Sequence, residues 1–146
     1  MQNANKEFAE VGAQAGVVNQ RYSIAPVTAD FNNDGRPDII HVNIAGRSKV
    51  FLSKPTNSKN GFLKVKLPDD VSSIGALVTV TLNDGSTLLK PFTSGEGLAS
   101  DSSHVIVVGL GEKTATKVSV DFINKPDAVV QGSFRNDTVT IGADGL

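Results

Sequence analysis

The sequence contains no cysteine and no tryptophan, and aromatic residues make up only 5% of its 146 positions. Without cysteine there are no disulfides and no thiolate metal sites, a composition compatible with either side of a membrane. Neither charge sign dominates, since 14 Lys and Arg stand against 15 Asp and Glu for a net charge of −1. Nucleic-acid binders normally show a basic face with interleaved aromatics, and here the basic residues are scattered, so no nucleic-acid partner is expected. No apolar run reaches the roughly 18–20 residues of a membrane-spanning helix, so no membrane insertion is expected. No signal peptide opens the chain either. Its first five residues, MQNAN, read as a start placed ahead of a mature or excised segment, which makes the missing export signal uninformative.

What is present is a 39% hydrophobic content, enough for one ordinary domain that buries about 68–70% of its unfolded surface. One stretch calls for a specific chemistry: residues 30–38, DFNNDGRPD. Oxygen-bearing side chains recur at alternate positions (Asp30, Asn32, Asp34), Gly35 follows at the sixth position and Asp38 stands at the ninth. This is the opening of the D-x-[DN]-x-[DN]-G calcium loop, in which alternate side chains turn toward one point and glycine supplies the φ > 0 of a tight wrap. Calcium takes six to eight oxygens, and Asp30, Asn32, Asp34 and Asp38 offer side-chain donors, with the Arg36 carbonyl and water completing the set. An EF-hand is excluded by context: its twelfth position needs Glu where this chain has His41, and the flanks SIAPVTA and IIHVNI are β-branched rather than helical. The plainer reading of the same residues is an Asx-rich turn with solvated charges.

The rest of the chain reads as strands. Residues 23–29 and 38–44 flank the loop and 48–53 follow as a third strand, a small meander preceded by a helical turn or irregular lead-in over 6–18. Residues 54–61, KPTNSKNG, carry turn formers without apolar periodicity and mark a boundary. Beyond it, 62–67 alternate with Phe62, Lys64 and Lys66 on a face expected to be wet. Residues 76–82 and 87–92 form a hairpin around Asp84-Gly85. Residues 103–111 are apolar on both faces and read as a central, fully covered strand. Residues 115–123 alternate, and 128–134 and 137–142 close the chain around Arg135-Asn136. Short strands at this spacing without a convincing helix predict an all-β fold, a β-sandwich or barrel.

Several runs together resemble a known arrangement: FAEVGAQAGV (8–17), VTADFNNDGRPDIIHVN (27–43), FLKVKL (62–67), IGALVTVTL (74–82) and SGEGLASDSSHVIVVGLGE (94–112). The chain is similar to the C-terminal part of secreted proteins in which an FG-GAP/VCBS repeat precedes an ASPIC/UnbV domain. The resemblance implies a calcium-loop β-meander of propeller-blade type (1–54) docked on an antiparallel β-sandwich (62–146), with Asp30, Asn32, Asp34, Asp38 and the Arg36 carbonyl as calcium ligands. Asn32 stands where the family has Asp, and a single repeat cannot close a propeller.

The expected function is therefore a non-catalytic calcium-binding module for adhesion, recognition or assembly, secreted, periplasmic or at the cell surface. Its partner would be an extracellular protein or glycan, or a second copy of the chain. The alternative is a structural or oligomerisation β-domain whose acidic loop is only a turn. Asp101 and His104 with Ser100, Ser102 and Ser103 supply the residue types of a hydrolytic triad, but neighbours along one turn do not build a nucleophile–base–orienter chain and no G-x-S-x-G elbow exists. Glu96 and Asp84 read as isolated acids in loops, and His41 as a packed or surface histidine. Residues 109–114, GLGEKT, lack the spacing of a phosphate loop.

Overall fold

The computed structural model describes residues 5–55, 59–95, 103 and 105–142. Among them the chain forms β-strands and a 3-10 turn at Val71–Ser73, with no α-helix. Strands β1 (Ser23–Ala29), β2 (Asp38–Asn43) and β3 (Lys49–Phe51) make an antiparallel meander in that spatial order. Next come β4 (Gly61–Lys66), β5 (Leu77–Leu82), β6 (Thr87–Pro91), β7 (Val105–Gly111), β8 (Ala115–Asp121), β9 (Ala128–Phe134) and β10 (Asp137–Thr140). They form a three-stranded sheet, β10-β4-β7, and a four-stranded sheet, β6-β5-β8-β9.

Period-two alternation explains why these two sheets pack. β4 turns Leu63 and Val65 inward, β5 Val78, Val80 and Leu82, β7 Val108 and Leu110, and β8 Val118 and Val120, and all belong to one buried cluster. Full burial of each such side chain contributes roughly 1.5–3 kcal/mol, which makes this cluster the main source of stability. The β5–β6 hairpin is built as its Asp84-Gly85 turn predicts: Gly85 has φ +82°, its N–H donates to the Leu82 carbonyl at 2.9 Å, and Thr81 pairs with Thr87. Asp70 caps the 3-10 turn by accepting from the Ser72 N–H at 2.8 Å. The lead-in holds one helical turn, with Ala15 N–H to Val11 O and Val17 N–H to Gly12 O.

Three expectations need correction. Among the described residues β7 is an edge strand of its sheet, bonded to β4 alone, rather than a central one. Nor is it covered on both faces: Val108 and Leu110 enter the core, while on the other face Val107 is half-buried and Gly109 exposed, both lining the cleft beside the acidic loop. On the face of β4 expected to be wet, Lys66 is exposed, but the acidic loop half covers Phe62 and leaves Lys64 only 7% exposed. The closing strands do not share a sheet. β9 pairs with β8, whereas the chain turns at Asn136 (φ +53°) and β10 runs parallel to β4, so the sandwich is antiparallel except at this pair. The Asn136 N–H donates to the Phe62 carbonyl at 2.8 Å and helps hold that crossover. The meander contributes only Ala25 to the buried apolar residues and nothing to the core cluster.

Candidate functional site

The acidic loop joins β1 to β2, and its shape follows from its own side chains. Asp30 Oδ1 accepts from the Asp34 N–H at 2.9 Å and Oδ2 from the Gly35 N–H at 2.8 Å. Asn32 Oδ1 accepts from the same Asp34 N–H at 3.3 Å, and Asp34 Oδ1 from the Arg36 N–H at 3.0 Å. Short acids and amides that bond the backbone two to five residues on curl the chain without help from a sheet. Two residues take φ > 0, Asn33 (+62°) and Gly35 (+82°); asparagine tolerates this region and glycine is free of its cost. Gly35 is constrained in space as well, because a Cβ there would lie 2.0 Å from the Phe62 ring.

The loop is docked on the outer face of the β10-β4-β7 sheet. Register places Phe62 opposite Gly109 and Lys64 opposite Val107, so the aromatic ring and the ammonium stand on a platform of small and branched residues. Lys64 Nζ lies 2.5 Å from Asp30 Oδ2 and 2.5 Å from Asn33 Oδ1, and the side chains of Lys64 and Asp30 are 9% and 5% exposed. Burial raises the Asp30 pKa, but the Lys64 ammonium and the N–H groups of Gly35 and Asp34 outweigh it and hold the carboxyl below its ordinary value. Arg36 turns a guanidinium nitrogen to Asp34 Oδ2 at 2.5 Å, while its Nε is buried without a hydrogen-bond partner among the described residues. Asp38 is fully buried. Its Oδ2 accepts from the Phe31 N–H at 3.0 Å and its Oδ1 from the Ser53 N–H at 2.7 Å, which ties the start of the loop to the segment leaving β3; the Ser53 hydroxyl donates to the Pro37 carbonyl.

The sequence-predicted ligands thus fall into two groups. Asp30, Asn32 and Asp34 share one hydrogen-bonded cluster, with Asn32 Nδ2 donating to Asp34 Oδ2 at 2.7 Å, whereas Asp38 serves as a backbone clamp beside it. In chemical kind the set suits calcium, being three carboxylates, an amide oxygen and the Arg36 carbonyl. Of the roughly four lone-pair positions of a carboxylate, Asp38 engages two and Asp30 and Asp34 three each. Among the described residues no three His, Cys, Asp or Glu side chains are gathered closely enough to share one ion.

Sequence reasoning missed Lys64, Phe62 and Ser53. Their partners are distant in the chain, and the signal available was indirect: a lysine on a strand whose neighbour, β7, is apolar on both sides. A cleft of about 480 Å³ lies between Asp34, Arg36, Asn60, Phe62 and Val107, and another of about 280 Å³ between Asp30, Pro37, Thr93, Ser103 and Val107. Glu96, Ser100, Asp101, Ser102 and His104 lie outside the described residues. His41 is packed, edge-on to Phe51 at 5.6 Å between centroids, and the Ser23 hydroxyl beside it donates to Asn43 Oδ1 at 3.0 Å. Lys113 pairs with Asp84 at 2.6 Å in a turn that continues as β8, with no helix after it.

Fold and loop together define an all-β module, a sandwich whose outer sheet face carries an acidic loop and a short meander. Residues 69–144, or 76 of the 146 positions, match the family ASPIC and UnbV, and the chain belongs to that family. Comparison with curated proteins gave no match. The matched segment runs from before the 3-10 turn to the end of the sandwich and does not reach the acidic loop.

Proposed function

We propose that the protein is a non-catalytic calcium-binding module acting in adhesion, recognition or assembly outside the cell or at its surface, with residues 1–54 as an FG-GAP/VCBS-like, propeller-blade-type meander. The observation that carries this reading is the Asp30–Asn32–Asp34 cluster, three hard-oxygen side chains drawn together by backbone N–H groups on a rigid sheet. Clefts on both sides of the loop give a partner protein or glycan somewhere to seat, and loops on a rigid scaffold are where recognition concentrates. Calcium acts structurally here. With a dissociation constant of about 10⁻⁴–10⁻³ M and roughly millimolar calcium, linkage contributes about 0.4–1.4 kcal/mol.

Thermal melting with calcium and with chelator tests this. The wild type gains about 1–5 °C with calcium and Asp34→Ala loses the gain; a midpoint indifferent to calcium in both proteins removes the metal. A second reading rests on the Lys64–Asp30 pair: the loop is a turn neutralised by the chain's own cations, and the domain is structural and oligomerises through its exposed strands. Light scattering on the eluting protein separates the two, because a calcium-independent dimer favours the second reading.

A further inference from the structure

Resting on the calcium reading above, we propose that Lys64 is a tethered competitor for calcium, so that a metal-filled loop and a loop clamped to the sandwich are alternative states. The lysine comes from β4, 34 positions from Asp30, and its ammonium contacts the first residue of the calcium pattern and the side chain of Asn33 at the same 2.5 Å. Both members of the pair are over nine-tenths buried, so water does little to screen the charge. A divalent ion that took Asp30 as a ligand would stand a few ångströms from this ammonium, and two cations sharing one buried carboxylate repel strongly. Asp34 N–H, Gly35 N–H and Lys64 Nζ occupy three of the roughly four lone-pair positions of Asp30, so while the ammonium stays calcium is left a single site on Oδ1, against that repulsion. Calcium therefore enters as Nζ leaves Asp30.

The exchange has a structural consequence. The Lys64–Asp30 and Lys64–Asn33 contacts are polar tethers between loop and sandwich, and Phe62 against Gly35 is the apolar one. Calcium binding removes the polar tethers and leaves the apolar one, so it loosens the seat of the loop next to the cleft that Asp34, Arg36 and Phe62 line. By linkage, a partner that favours the released loop strengthens calcium binding by the same factor, and one that favours the clamped loop weakens it.

Calcium titration by calorimetry on the whole chain tests the idea. Lys64→Gln binds calcium at least about tenfold more tightly than wild type, and Asn33→Gly, which removes the lysine's second holder and keeps the left-handed backbone free of strain, about two- to threefold more tightly. In the wild type, the side-chain ammonium resonance of Lys64 is sharp and protected with chelator and is lost on adding calcium. That resonance and Asn33→Gly decide the matter should Lys64→Gln fail to fold. Equal affinities in all three proteins with an unchanged ammonium signal overturn the competition while leaving the calcium loop standing. Calcium binding by none of them overturns the calcium loop and the competition together.

Discussion

At Gly35 the left-handed backbone and the Phe62 ring act together, so a methyl group there meets strain from two directions. Gly35→Ala lowers stability by about 2–4 kcal/mol, read from the denaturant midpoint, because the φ cost and the displaced ring add. A Phe62→Leu background relieves only the second part and recovers a fraction of the loss. Lys64 and Asp30 behave differently, since each is buried against the other. Truncating Lys64 to Met strands a buried carboxylate and costs about 3 kcal/mol, whereas a double change to two apolar residues is milder. The same pair governs acid behaviour. Asp30 titrates lower in the folded chain than in the unfolded one, so its ionised form stabilises the native state above an unfolded value near 4 and loses that contribution as pH falls through the folded value. As pH falls below the ordinary carboxylate range, stability therefore drops more steeply for wild type than for Asp30→Asn, whose stability is already reduced at neutral pH because Lys64 has lost its carboxylate.

Among the elements, β4 has two employments: its inward residues build the core and its outward ones seat the loop. Local alternation made the first legible, since Leu63, Val65 and Leu67 recur at every second position. The second was hidden because alternation separates faces but does not say what covers them, and Lys64 in isolation reads as solvated. β7 failed for the mirror-image reason. Its apolar run reads as two covered faces, but only the core face is covered; on the other, Val107 is half-buried beside the loop while Gly109 and Gly111 are exposed, and periodicity does not say whether a small or apolar residue has a cover. The parallel β10–β4 pair escaped because nothing in the short Arg135-Asn136 connection distinguishes a hairpin from a crossing between sheets. The calcium-type spacing, by contrast, is local, and so the curl of residues 30–36 was readable while the Lys64 clamp was not. Hydrogen exchange follows this hierarchy. Amides of β5 and β8, paired on both sides and backed by the core, exchange slowest, and those of β3, short and at an edge, exchange orders of magnitude faster. Equal protection in β3 and β8 contradicts the assignment of the core to the two sandwich sheets.

For the molecule as a whole, the decisive asymmetry is that all the core cluster lies beyond residue 62, while the meander leaves Tyr22, Ile44, Val50 and Leu52 more than half exposed. A three-stranded sheet with so little buried area is marginal by itself and depends on what it rests upon. What it rests upon is the loop: Asp38 ties β2 to the segment after β3, and Lys64 and Phe62 tie the loop to β4. Dividing the chain at the connection between β3 and β4 tests this dependence. A fragment of residues 61–146 keeps its strand circular dichroism and a cooperative melt, because both sandwich sheets and their shared core remain. Its midpoint falls, since Lys64 and Phe62 lose their cover. A fragment of residues 5–55 is unfolded at the same temperature and regains no strand signal with calcium alone, because a metal ion orders a loop but does not replace the sheet face beneath it. A cooperative melt from the shorter fragment with calcium would make the meander an independent folding unit and reduce the lysine clamp to a contact between two finished parts.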